Sequence, residues 1–133
     1  MTADDGASGD ESFDDPFCDH LEITFDEIED GDATARMPVT ESHLNFVGVL
    51  HGGAVFALAD AAAGAALSSK LGTDASIALE ANVSYLSAVD AGETVVATAE
   101  IPHESRKTAE MTVTVETDAG TRVASYRCRG YKF

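Results

Sequence analysis

The chain has 133 residues, with 24 acidic against 8 basic side chains, a formal charge of -16 and 44% hydrophobic residues. That length supports one domain with a single sizeable core. The charge argues against nucleic acid, whose phosphates need Lys and Arg, and against docking on anionic membrane lipid, while the apolar fraction excludes disorder throughout.

The charge is concentrated at one end. Residues 1–32 hold 13 acidic residues and no Lys or Arg, whereas 33–133 hold 11 acidic and 8 basic residues, a net of -3. Residues 1–15, rich in Asp, Gly, Ser and Ala, read as a solvated, disordered acidic tail, which leaves 16–133 as the domain. No basic start followed by an apolar run marks a signal peptide, which implies a cytoplasmic location. Many Asp and Ala with only three Lys also fit a salt-adapted host. Cys18 and Cys128 lie far apart without CxxC spacing, so both read as reduced, structural thiols. Neither they nor His20, His43, His51 and His103 show metal-ligand spacing, and no metal or other cofactor is expected.

A strand pattern starts at Leu21, with Leu21, Ile23 and Phe25 alternating with Glu22, Thr24 and Asp26. Asp30-Gly31 is a hairpin signal, and Ala33, Ala35, Met37 and Val39 continue the alternation on the next strand. Residues 40–53 read as a loop. From Gly53 to about Leu71 the chain is Ala-rich and free of Pro, which predicts a helix of about five turns ending at Gly72. Between Phe46 and Leu67 only His51 and Asp60 are strongly polar, but four glycines, the Asp and weakly apolar Ala favour a buried helix over a membrane span. Four more alternating runs follow, from Ile77, Val95, Ala109 and Val123, with turns at Asp90-Ala91-Gly92 and Asp118-Ala119-Gly120. The order β-β-α-β-β-β-β predicts an α+β architecture, one long helix against a largely antiparallel sheet. Ala57, Ala61 and Ala65 would let the sheet approach that helix closely.

The chemistry concentrates between His43 and Asp60. Glycines at a helix start leave its first N–H groups bare, and such donors can form an oxyanion site at Gly52. Gly52-Gly53 alone also marks a tight turn, and a lone loop histidine such as His51 also serves by holding the loop. Asn45 could orient a carbonyl or a water. Asp60 is the only ionisable residue between His51 and Lys70, with Phe56, Ala57, Ala63 and Gly64 as helical neighbours, and burial there would make it a competent base or nucleophile. It lies eight residues beyond Gly52, about 12 Å along one helix. Both groups must approach the reacting centre to about 3 Å, so a shared site takes Asp60 from a second chain.

The run Asn45-x-x-Gly48-x-x-His51-Gly52-Gly53 followed by Leu58-Ala59-Asp60, with Asn82-Val83-Ser84-Tyr85-Leu86 after the helix, closely resembles the hotdog-fold acyl-CoA thioesterases of the PaaI type. The resemblance spans about residues 17–131. It implies a helix wrapped by an antiparallel sheet, dimers commonly paired into homotetramers, and hydrolysis of an acyl-CoA thioester without a metal or redox cofactor. By that likeness Gly52 N–H polarises the thioester carbonyl. Asp60 of the partner chain acts as general base or nucleophile, Asn45 positions substrate or water, and His51 supports the loop. Relatives often place Ser or Thr on the strand after the helix, where this chain has Ala78. Gly53 and Phe56 are further substrate-binding candidates. The adjacent cations Arg106 and Lys107 are candidates for the CoA phosphates, and read equally as a solvated turn. The competing readings are a non-catalytic acyl- or CoA-binding member and a hotdog hydratase, for which no second Asp/His pair is seen.

Overall fold

A computed structural model describes residues 15–71 and 76–133. Helix α1 (Pro16–Leu21) precedes strands β1 (Thr24–Glu29) and β2 (Asp32–Pro38), and a 3-10 turn (Glu41–His43) leads to helix α2 (Gly52–Leu71). Strands β3 (Ser76–Tyr85), β4 (Thr94–Glu104), β5 (Thr108–Thr117) and β6 (Arg122–Lys132) follow. The six strands form one antiparallel sheet in the order β1-β2-β4-β5-β6-β3, with α2 packed against its inner face.

Alanine explains how one sheet can wrap one helix. It is the best helix former and adds almost no side-chain bulk. Ala59, Ala62, Ala65 and Ala66 are fully buried on α2, and Ala35 and Ala97 are fully buried on the strands facing it. Ala61 and Ala65 are buried as expected, while Ala57 is half-buried. Larger residues such as Met37, Leu58, Leu67, Val95 and Val115 fill the space between these close approaches. By length and composition α2 could cross a membrane, but half of it is buried inside this single domain, as suits a core helix.

The turns behave as their residues dictate. Asp30 and Gly31 take φ values of 48° and 94°, the paired positive angles of a tight β1–β2 hairpin. At its start the chain departs from the expected pattern, since Leu21 belongs to a helix and not to the first strand. Asp15 caps that helix by accepting from Cys18 N at 3.1 Å, Pro16 occupies its first turn, and Glu22 ends it at φ 65°. Cap and proline together start a helix, and this local signal overrides the short alternation; Ile23 and Phe25 still point into the core. Most of the expected acidic tail and the expected helix stop at Gly72 lie outside the described residues.

The two edges of the sheet differ. β1 carries Asp26, Glu27 and Glu29. On or just beyond β3, Ile77, Leu79, Tyr85 and Leu86 are each about half exposed. An acidic edge resists strand addition, whereas an apolar edge invites it.

Candidate active site

The loop before α2 is fixed by side chains that serve its backbone. Asn45 Oδ1 accepts from the backbone N–H groups of Val47, Gly48 and Val49 at 3.0, 3.1 and 3.2 Å. Three donors identify that atom as oxygen and commit it to the loop; among the described residues its amide NH2 finds no partner. Leu44 and Leu50 bridge across the loop, and His51 N donates to the His43 carbonyl at 2.8 Å. Buried His43 accepts from Thr40 N at Nδ1, which leaves its Nε2–H to donate to the Leu21 carbonyl at 2.7 Å and ties the loop to α1.

Gly53 N donates to His51 Nδ1 at 2.8 Å, so neutral His51 carries its proton on Nε2. The next donor back, Gly52 N–H, finds no acceptor among the described residues. The Gly52 carbonyl accepts from Tyr85 Oη at 2.9 Å. A Cβ at Gly52 would lie 3.1 Å from the Tyr85 ring and hydroxyl, and one at Gly53 would lie 3.0 Å from His51 Nδ1. A side chain at either glycine would press on one of these neighbours, and the pair leaves one bare N–H among the described residues. A cleft of about 440 Å³ adjoins it, lined by Asn45, Gly52, Val55, Tyr85 and Val89 among others.

Asp60 sits two turns further along α2. Of its helical neighbours Ala63 is buried and Phe56, Ala57 and Gly64 are half-buried, but Asp60 is exposed in the single chain, contrary to the burial expected for it. The sheet covers most of the helix circumference and leaves this sector open. Asp60 borders a second cavity, of about 270 Å³, with Ala63, Gly64, Ile77, Ala78 and Cys128. Ala78 therefore does share a cavity with the carboxylate and offers it no hydroxyl. Tyr126 supplies one instead, donating from Oη to Asp60 Oδ1 at 2.8 Å. Burial, and then the Asp60 charge, push the Tyr126 phenol well above its ordinary range, so it remains a donor. Half-buried Phe56 meets the Tyr126 ring edge-on at 5.3 Å, which makes it a support for that tyrosine.

Arg106 and Lys107 are exposed in the β4–β5 turn. Lys107 stands 5.7 Å over the Tyr131 ring, and its carbonyl accepts from Lys132 N. Nearby, Lys70 and Lys132 both pair with Glu104, at 3.1 and 2.9 Å. Four of the eight basic residues thus gather at the end of the fold where α2 stops, away from Gly52. Cys18 and Cys128 are buried free thiols, and among the described residues no group of three or more His, Cys, Asp or Glu side chains could hold a metal.

Neither Tyr85 nor Tyr126 is marked as functional by the sequence motif. A signal existed for Tyr126: it falls on the inward phase of β6, and a buried phenol needs a partner, for which Asp60 was the available acceptor on α2.

A long helix wrapped by an antiparallel sheet, with a bare N–H at its start and a carboxylate two turns further on, defines a protein of the hotdog class. A family profile described as "Thioesterase superfamily" matches residues 47–124. A protein of Archaeoglobus fulgidus that carries an esterase name is 36% identical over 98 residues, covering 74% of this chain and 62% of its own length. Acyl-coenzyme A thioesterase PaaI of Escherichia coli is 30% identical over 112 residues, 84% of this chain and 79% of the relative. A variant of the phenylacetic acid degradation protein PaaI of Thermus thermophilus superposes with a TM-score of 0.84 at 31% identity, covering 90% of this chain and all of the other. The chain belongs to the thioesterase superfamily and, within it, to the PaaI type.

Proposed function

We propose that the protein hydrolyses an acyl-CoA to the free acid and CoA, at a site made from Gly52 of one chain and Asp60 of another. The observation that carries this reading is the bare Gly52 N–H on the same helix as Asp60. A straight helix holds the two about 12 Å apart, too far to act on one carbonyl within one chain. A second copy is the economical source of the missing half, and the apolar β3 edge offers it a strand to pair with. Pairing of such dimers into a homotetramer is the larger assembly proposed.

In this arrangement the thioester oxygen accepts from Gly52 N–H, where the helix start favours the negative charge that develops in the transition state. Asp60 takes a proton from water as the water oxygen bonds to the carbonyl carbon. The C–S bond then breaks, and the CoA sulfur leaves with a proton. In the alternative route an Asp60 oxygen attacks the carbonyl carbon and the C–S bond breaks to release CoA thiolate. This leaves a mixed anhydride that water hydrolyses to the free acid and regenerated Asp60; rapid-quench mass spectrometry reads it as an acyl adduct on Asp60. Asn45, whose NH2 has no partner among the described residues, can hold the substrate or the water, and His51 keeps Gly53 N–H out of competition. Gly53 and Phe56 shape the site from behind. The basic Arg106–Lys107 turn, exposed at the end of the fold where α2 stops, is the proposed contact for the CoA phosphates. Acyl-CoA is an intracellular substrate, and the cytoplasm is the proposed compartment.

Turnover of a panel of aliphatic and aryl acyl-CoAs, followed by release of free thiol, tests the reading in wild type, Asp60→Asn and Asp60→Ala. Loss of several orders of magnitude with the fold intact supports it. Equal rates in all three would remove Asp60 from the mechanism, and binding without turnover would make the protein an acyl-CoA-binding module.

A further inference from the structure

We propose that Tyr126 is the positioning residue for Asp60, fixing one carboxylate oxygen so that the other faces the reacting water. This rests on the catalytic reading of Asp60 given above. The Tyr126 hydroxyl donates to Oδ1 at 2.8 Å, and Oδ2 has no partner among the described residues. The donor cannot swing away easily. Tyr126 is 2% exposed, β6 pairs it with Val113 on one side and Val83 on the other, and Phe56 meets its ring at 76°. Phe56 lies one helical turn before Asp60, so ring, hydroxyl and carboxylate share one face of α2.

The Tyr126 hydroxyl also interacts with the Cys128 thiol, but among the described residues it is the one side-chain donor hydrogen-bonded to Asp60. The cavity beside Asp60 is lined from α2, β3, β5 and β6 by Ala63, Ile77, Ala78, Met111 and Cys128 among others, and none of its other lining residues carries a charge. The titratable groups that sense Asp60 are Cys18 on α1 and Tyr126 and Cys128 on β6. Burial raises all three, so each is neutral at working pH, and among the described residues no Lys, Arg or His forms an ion pair with Asp60. A hydrogen bond to the ionised form is then the main stabilising contact available. Ala78 cannot supply it.

Tyr126→Phe removes the hydroxyl and keeps the ring. The expected result is a 10- to 100-fold fall in kcat, roughly the value of one hydrogen bond to a charged group, with KM changed less than about twofold. The acidic limb of the pH profile of kcat/KM moves to higher pH, because ionised Asp60 has lost its donor. A merely structural role would lower stability without moving that limb. Site-specific 3-fluorotyrosine at position 126, a more acidic phenol of nearly the same size, gives an independent reading that does not depend on the phenylalanine variant folding. It strengthens the donor and moves the limb to lower pH. A limb unmoved by either change overturns the positioning role. Asp60→Asn assayed alongside separates the two failures: if it retains turnover, the catalytic reading of Asp60 falls; if it is inactive while Tyr126→Phe matches wild type, only the role of Tyr126 falls.

Discussion

The two candidate catalytic groups on α2 are held in opposite ways. At Gly52 the reactive group is a backbone N–H, and side chains are spent on the backbone around it: Asn45 on three amides, His51 on Gly53 and Tyr85 on the Gly52 carbonyl. At Asp60 the reactive group is a side chain, and another side chain, Tyr126, is spent on it. A backbone donor is indifferent to most substitutions that spare the local path of the chain. A carboxylate on an open helix face depends on its identity and on the one hydroxyl that aims it.

The largest expected effect comes from the side-chain half. Asp60→Ala should cost about 10³-fold or more in turnover, within the range for loss of a positioned acid–base group. Its melting temperature should fall by only a few degrees, since the exposed carboxylate leaves no cavity behind but the buried Tyr126 hydroxyl loses its acceptor. The backbone half needs a different tool. Gly52 is the first residue of α2, a position where proline fits the helix and removes only an unpaired N–H. The added ring must displace Tyr85, whose hydroxyl end lies 3.1 Å from the new Cβ position. Gly52→Pro should therefore lose about 10²- to 10³-fold in kcat, the cost of one oxyanion donor. Mixing Gly52→Pro with Asp60→Ala chains tests whether the halves belong to different copies. Random re-pairing leaves half the dimers mixed, each with one intact site, so about a quarter of wild-type activity returns. Failure to recover any activity, with exchange of chains demonstrated, would place both groups in one chain's site and end the comparison.

Asn45→Ala probes how much the loop depends on its single acceptor. Three backbone amides lose their partner but reach water, so the expected cost is about 1 kcal/mol, a drop of a few degrees in melting temperature. Activity should fall more than stability, because the same loop positions Gly52. Differential scanning calorimetry and steady-state kinetics on one preparation separate the two.

Much of this was legible in the sequence because it is local chemistry. The Ala-rich run fixes a helix that is apolar nearly all round, and Asp30-Gly31 permits the positive angles of a tight hairpin. The chain order of the six strands about the long helix follows from the alternating runs and turn residues, and the candidate site is read from a glycine pair at a helix start and a lone carboxylate in an apolar helix. The misread first element is also local: Asp15-Pro16 outweighs the alternation at Leu21, Ile23 and Phe25. What spacing cannot carry is tertiary. Tyr85 reaches Gly52 across 33 residues and Tyr126 reaches Asp60 across 66, and only strand order brings them there. The exposure of Asp60 has the same origin, since helical period names its neighbours without saying which sector the sheet leaves uncovered.

The smallest effect sharpens the comparison from the Asp60 side. Buried Cys18 on α1 has its thiol raised from 9.0 to about 12, first by burial, then by Asp15 and Asp19, and least by Asp60. Below pH 9 the thiol is neutral in both folded and unfolded chains, so it adds no pH dependence. Above pH 9 the unfolded thiol ionises and the folded one does not. Unfolding then releases a proton, and stability falls as pH rises from about 9 to about 12. Denaturant midpoints measured across that window should decline in wild type and decline less in Cys18→Ala, compared with each variant's own midpoint at pH 8. Asp60→Asn should retain most of the decline, because burial is the leading cause and the Asp60 charge the weakest. A decline abolished by Asp60→Asn would mean that the carboxylate acts on α1 far more strongly than its open position on the helix allows.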